Sequence, residues 1–215
     1  MIHKTKTAVL AGAGGATGQV LLGMLLEHPD YVKIIALVRK KLDINHERLE
    51  QVLVNFDKPE QLCIPCDEVF CCLGTTMAKA GSKEQFYKVD HDYVLSLARE
   101  TKAAGARAMF VVSAVGADVH SLIFYNRVKG ETERDLAAIG FEHLYIFRPG
   151  LLMGERKERR RGETFAKAIY SIINPLLPKS WKGIHLDQLA AAMVHAAAQK
   201  TSVRVRIIPN REMVS

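Results

Sequence analysis

Ala11-Gly12-Ala13-Gly14-Gly15-Ala16-Thr17-Gly18 is the stretch that decides how this chain folds. Before it, residues 7–11 form an apolar run that reads as a buried strand. After it, residues 19–27 read as a helix that ends near Pro29. The pattern is G-x-x-G-x-x-G with an extra glycine at Gly14. One glycine permits a tight strand-to-helix turn, another lets a pyrophosphate approach the backbone, and a third lets helix and strand pack closely. The helix start then offers free N–H groups and the positive end of its dipole to an anion. No Gly-Lys-[Ser/Thr] follows, so a kinase-type phosphate loop is excluded. Gly12, Gly14, Gly15, Ala16, Thr17 and Gly18 are therefore the candidates for holding a dinucleotide.

Outward from this turn, strands are predicted at 32–38, 51–55, 68–73, 108–113, 144–147 and 203–208. Helices are predicted at 83–104, 121–139, 164–173 and 187–200, with a Pro175–Pro178 breaker between the last two. Residues 32–38 are nearly all apolar, as in a parallel strand covered on both faces. The alternation predicts an α/β fold, a doubly wound parallel sheet of Rossmann type. No repeat, linker or composition break appears, so residues 1–215 read as a single domain. The tail after Pro149 is too short for a second domain. It reads as a short C-terminal, substrate-side extension over the carboxyl edge of the sheet.

The net charge of +7 suits an anionic ligand, nucleic acid or a membrane surface without choosing among them. No apolar run is long enough to span a bilayer, so no membrane is expected. The start of the chain, with His3, Lys4 and Lys6, lacks the apolar stretch of a secretory signal. These features predict a cytoplasmic location. Cys63, Cys66, Cys71 and Cys72 do not offer four ligands at metal spacing, because Cys71 and Cys72 point to opposite faces of a strand. They read as buried, reduced thiols, and no metal is expected.

The second strand ends in Arg39-Lys40-Lys41, where an NAD site usually carries an acidic residue for the ribose 2′-hydroxyl. A guanidinium pairs instead with a 2′-phosphate. NADP(H) is thus favoured over NAD(H), with Arg39 and Lys40 as the discriminating residues. The competing reading is two solvated cations at a strand end. Asn55 and Phe56 follow the third strand and could flank the adenine. Leu73, Gly74 and Thr75 follow the fourth, where Gly74 would allow close backbone approach.

Tyr125 and Lys129 lie four residues apart in a predicted helix and leave the same face. Ser113 lies twelve residues before Tyr125, at the end of the fifth strand. With a nicotinamide nearby, Tyr125 is the proton donor, Lys129 a charge beside it and a ribose ligand, and Ser113 a hydrogen bond to the substrate oxygen. Tyr above Lys on a helix is otherwise ordinary packing; the upstream glycine turn favours the catalytic reading. His91 and Asp92 read as solvated, His120 as incidental and Arg148 as structural. Arg156-Lys157-Glu158-Arg159-Arg160-Arg161 lacks interleaved aromatics, so nucleic acid is not favoured. Flanked by Gly154 and Gly162, it reads as a solvated lid.

Taken together, these segments resemble the atypical short-chain dehydrogenases/reductases, in the Tat-interactive-protein oxidoreductase-like branch. The carriers are the glycine turn, Cys71-Cys72-Leu73-Gly74-Thr75-Thr76, Val89-Asp90-His91-Asp92-Tyr93-Val94, and Ser113-Ala114-Val115-Gly116-Ala117-Asp118. Tyr125-x-x-x-Lys129-Gly130-Glu131 and Arg148-Pro149-Gly150 complete them. The resemblance implies a Rossmann core, NADP(H) binding and reductase chemistry. Many such enzymes carry an Asn in the long helix that assists proton relay; the corresponding residue here is Asp90, which accepts hydrogen bonds unless protonated. Two readings follow: an NADP(H)-dependent oxidoreductase acting on a small carbonyl or alcohol, or an NADP(H)-binding regulator of a protein partner. The apolar stripes of helices 83–104 and 121–139 serve either a homodimer face or the core alone.

Overall fold

The computed structural model describes residues 5–153, 182–199 and 201–214. In chain order these form β1 (Lys6–Ala11), α1 (Ala16–Glu27), β2 (Tyr31–Val38), β3 (Leu49–Leu53) and β4 (Glu68–Cys71). Then come α2 (Met77–Ala80), α3 (Lys83–Tyr87), α4 (Tyr93–Ala103), β5 (Ala108–Val112), α5 (Phe124–Ile139) and β6 (His143–Arg148). The last are β7 (Leu152–Met153), β8 (Ile184–His185), α6 (Leu186–Ala198), β9 (Val205–Pro209) and α7 (Asn210–Met213). Seven strands make one sheet in the order β3-β2-β1-β4-β5-β6-β9, and every pairing in it is parallel. The chain winds outward from β1 to β3, then returns to the other side of β1 at β4. That reversal opens a crevice at the carboxyl ends of β1 and β4.

Side chains alternate across the sheet and build two apolar layers. Ala8, Leu10, Ile34, Ala36, Phe70 and Phe110 pack on one face, under Leu21, Leu22 and Leu25 of α1 and Leu189 and Met193 of α6. Val9, Ala11, Ile35, Leu37, Val69 and Val111 pack on the other, under Val94, Leu97 and Ala98 of α4 and Leu136 of α5. Register aligns Phe70, Phe110 and Tyr145 in a row across three strands, with stacked rings 4.7 and 4.9 Å apart.

The structure departs from the expected outline in three places. The helix predicted at 83–104 is interrupted by a π turn at Lys88–Asp92. Such a turn inserts an extra residue, which periodicity alone does not reveal. Helix α1 begins at Ala16, because Gly15 itself supplies the extended N-cap. The tail is not wholly a substrate-side extension: β9 is the seventh strand of the sheet and α6 covers α1. Strands β7 and β8 pair in parallel, and Asn210 binds both the Gly150 N–H and the Lys182 carbonyl, at 2.8 and 2.9 Å. The predicted helix at 164–173, the breaker at 175–178 and the arginine run lie outside the described residues.

At the amino ends of β1, β2 and β4, the Tyr31 phenol and the Lys6 ammonium both donate to buried Glu68, at 2.5 and 2.6 Å. Burial, then the Glu68 carboxylate, push the Tyr31 pKa well above its ordinary range. Glu68→Ala leaves the phenol and the ammonium without this carboxylate. It is expected to cost about 3 kcal/mol of stability in urea denaturation, as for breaking a buried pair. Dinucleotide affinity of the folded variant should stay unchanged, because the cluster lies at the edge opposite the crevice.

Candidate functional site

The glycine turn is built by backbone contact. Gly12 has φ +86°, and a Cβ there would lie 2.5 Å from the Cys72 carbonyl oxygen. A Cβ on Gly18 would lie 2.1 Å from the Gly12 carbonyl oxygen, and one on Gly15 3.3 Å from the same atom. Gly14 is different: its nearest neighbour would be a Leu42 methyl at 3.7 Å. The first turn of α1 has no side-chain cap and no acidic residue. An uncapped helix start, framed by backbone that tolerates no side chain at Gly12 or Gly18, fits a pyrophosphate.

Arg39 and Lys40 lie exposed just beyond β2, and neither has an ion pair among the described residues. Asn55 is exposed, and its backbone N–H donates to the Gln61 side-chain oxygen at 2.8 Å. Phe56 is buried with Val54 and Leu62, its ring 5.6 Å from Tyr93. It is thus a core residue first, with little free surface to offer an adenine. Leu73, Gly74 and Thr75 cross the carboxyl end of β4.

Beyond Gly74 lies a buried ion pair. Asp90, 1% exposed, occupies the middle of the π turn. Its Oδ2 accepts the Thr75 N–H at 2.8 Å, and its Oδ1 lies 2.8 Å from Lys129 Nζ. The lysine approach is an ion pair without hydrogen-bond alignment, which leaves Oδ1 without a hydrogen bond. Burial of Lys129 opposes its charge, but the Asp90 carboxylate, with Tyr125 next, more than offsets this and raises the lysine pKa. A Cβ on Gly74 would sit 3.4 Å from Asp90 Oδ1 and 3.9 Å from Lys129 Nζ, so this glycine borders the pair directly.

Tyr125 stands one turn before Lys129 on α5, half-buried, with its ring 5.6 Å from that of Phe86. Its hydroxyl makes no hydrogen bond among the described residues. Ser113 is placed differently. Its hydroxyl donates to Glu133 of α5, and Arg148 binds the same carboxylate through Nε and Nη2, at 3.0 and 2.5 Å. Ser113, Lys129, Asp90, Thr132 and Glu133 line one small cavity of about 10 Å³, which Tyr125 does not line. Glu133 is a member of this cluster that no local motif announces, although Tyr125, Lys129 and Glu133 continue one four-residue stripe along α5. Arg148 is structural, as expected, through that carboxylate.

Two side-chain expectations are corrected. His91 is buried, not solvated: its ring nitrogens meet Asp92 at 2.8 Å and Asp135 at 3.0 Å. The π turn rotates it inward, towards α5. Cys71 is buried, but Cys63 is exposed and Cys66 and Cys72 are half-buried, so the four are not uniformly core thiols. All are free, and burial raises Cys66 to about 12 and Cys71 to about 11. Cys71 and Cys72 do pack on opposite layers. No cluster of metal-ligating side chains occurs among the described residues.

Gly18, closed in by backbone, and Gly14, with room around it, give a direct test. Gly18→Ala forces a methyl into backbone and should lower stability by about 2 kcal/mol or more, the usual cost of overpacking. Gly14→Ala should melt within a few degrees of the parent. Thermal denaturation of the two variants side by side checks this.

Comparison with known proteins extends the picture. The family model described as HIM1 matches residues 38–178. "Protein FMP52, mitochondrial" of Eremothecium gossypii is 33% identical over 219 residues, covering 97% of this chain and 96% of its own. "Protein HTATIP2" of Rattus norvegicus is 33% identical over 220 residues, covering 98% and 89%. Among solved structures, UDP-glucose 4-epimerase of Thermotoga maritima with UDP-glucose superposes with a TM-score of 0.72 at 15% identity, covering 94% of this chain and 76% of its own. A short chain dehydrogenase of Burkholderia cenocepacia in complex with NADP gives 0.64 at 18%, covering 97% and 90%. At such identities these likenesses speak for the fold.

The expected cytoplasmic location is overturned by the relatives, several of which are named as mitochondrial proteins. No helix among the described residues is long and apolar enough to cross a membrane. That property does not separate cytosol from organelle, which is where the expectation failed. By sequence, the chain belongs to the HIM1 family, beside the FMP52 and HTATIP2 proteins, and its fold is the one shared with short-chain dehydrogenases.

Proposed function

We propose that the protein is an NADP(H)-dependent oxidoreductase that reduces a small carbonyl compound, or oxidises the matching alcohol, through Ser113, Tyr125 and Lys129. One observation carries the reading. A buried ammonium, Lys129, stands one helical turn from the Tyr125 phenol and borders Gly74 at the carboxyl end of β4, where the glycine turn opens. Structural neighbours in complex with NADP or with NAD support a nicotinamide dinucleotide as the ligand. The backbone of Gly12, Gly14, Gly15, Ala16, Thr17 and Gly18 would hold the pyrophosphate. Arg39 and Lys40 would meet the 2′-phosphate, Asn55 and Phe56 would lie towards the adenine, and Leu73, Gly74, Thr75 and Lys129 would border the nicotinamide half.

When bound, the dinucleotide supplies or receives the hydride. Tyr125 then gives its proton to the forming oxygen of the substrate. The Lys129 ammonium stabilises the negative charge left on the phenol, and a dry setting strengthens that interaction. For Ser113 to donate to the substrate oxygen, its proton must first leave Glu133. That bond favours a second reading, an NADP(H)-binding regulatory protein with little or no turnover.

Tyr125→Phe separates the two. As an enzyme, the variant should lose about 10²-fold or more in NADPH oxidation, the usual share of a general acid, with NADPH affinity within about twofold of the parent. A broad panel of aldehydes and ketones giving no turnover, together with a partner that binds only the NADPH-loaded parent, would establish the regulatory reading instead. Arg39→Ala should weaken NADP⁺ about tenfold and leave NAD⁺ unchanged in calorimetric titration, as expected for one lost charge-assisted contact.

A further inference from the structure

We infer that Asp90 is a positioning residue that holds Lys129 in its charged form against the cofactor side of the crevice, and so keeps dinucleotide binding insensitive to pH well into the alkaline range. The inference rests on the proposed dinucleotide site but concerns a residue to which that reading gives no role.

Two elements converge on Asp90. The loop after β4 supplies the Thr75 N–H at 2.8 Å to Oδ2. Helix α5 supplies the Thr132 hydroxyl, which donates to the Asp90 backbone carbonyl at 3.1 Å. The same helix supplies Lys129 Nζ, 2.8 Å from Oδ1. Oδ1 has no hydrogen bond, so the ammonium is its main compensation in a site closed to solvent. The π turn at Lys88–Asp92 gives Asp90 this aim within an otherwise α-helical segment.

The groups around Lys129 show why Asp90 alone fills this role. Tyr125 faces it from its own helix and Cys71 from β4, and both thiol and phenol are ordinarily neutral. Ser113, just after β5, and Glu133 from α5 share the cavity, but the Glu133 carboxylate is matched by Arg148 from β6. Asp90 is therefore the one carboxylate near Lys129, among the described residues, that no other cation neutralises. Without it, the lysine would remain buried with no matching anion, and burial favours its neutral form. Asn at this position keeps the shape and can still accept the Thr75 N–H, so Asp90→Asn removes the charge and little else.

The test follows the lysine and the ligand separately. Lysine side chains of the full-length protein are labelled with ¹³C at Cε and titrated by NMR, with Lys129→Arg identifying the signal. In the parent, Lys129 should lose its proton later than the surface lysines. In Asp90→Asn it should do so earlier, by at least about one pH unit. The NADP⁺ Kd of the parent should change less than about twofold between about pH 7 and pH 9.5, and that of Asp90→Asn should weaken about tenfold, one lost ionic contact. An Asp90→Asn protein whose Lys129 titration and Kd profile match the parent overturns the inference. If that variant does not fold, the parent decides alone: a Lys129 that titrates with or before the surface lysines overturns it. A parent that binds neither NADP⁺ nor NAD⁺ counts against the proposed function, and the lysine titration still decides the Asp90–Lys129 coupling.

Discussion

Everything at the carboxyl edge of the sheet depends on backbone touching backbone around Gly12. Its carbonyl oxygen occupies the place of a side chain at Gly18, and the Cys72 carbonyl occupies the place of one at Gly12 itself. Helix α1 is thereby drawn against β1, and β1 is keyed to the strand beside it. This fixes where the free N–H groups of α1 point. It also fixes where the segment after β4 must leave the sheet, and that segment carries Gly74 and Thr75 to the buried pair. The two sides of the crevice are thus set by one local packing constraint.

The interior of the site is a balanced set of charges. Asp90 faces Lys129, and Glu133 faces Arg148, on neighbouring turns of the same helix stripe. Buried ions are costly to desolvate, and pairing with good geometry offsets that cost. Arg148 holds its carboxylate through two nitrogens, whereas Lys129 meets Asp90 without hydrogen-bond alignment. The Glu133 carboxylate of the Arg148 pair also accepts the Ser113 hydroxyl. The Lys129–Asp90 pair is the looser of the two, and it is the one next to the expected nicotinamide.

Much of this was legible in the sequence, for identifiable reasons. The glycine turn sits between a strand and a helix, and the strands alternate with helices at regular spacing. Both are local signals, and both lead to the observed sheet. The Tyr125–Lys129 face follows from helical geometry alone. What was not legible depends on contacts remote in sequence. The role of β9 is set by its pairing with β6, sixty-one residues earlier at Leu144↔Val205. The inward turn of His91 depends on a π turn and on Asp135 across a helix interface. The engagement of Ser113 needs Glu133, whose partner Arg148 arrives on another strand. The surroundings of His91 and Ser113 are thus set by partners that the local sequence does not contain.

The position of β9 has a consequence for synthesis of the chain. Until residue 205 has emerged, β6 is the last strand of the sheet, and its row of N–H and C=O groups is open along Leu144, Tyr145, Ile146 and Phe147. An uncovered apolar edge of that kind is a template for pairing with other chains. The nascent protein carries this edge through the synthesis of about a quarter of its length, at some 5–20 residues per second. Its window of vulnerability to misassembly on the ribosome is therefore set by the separation in sequence between two neighbouring strands, and closes only when the last one docks.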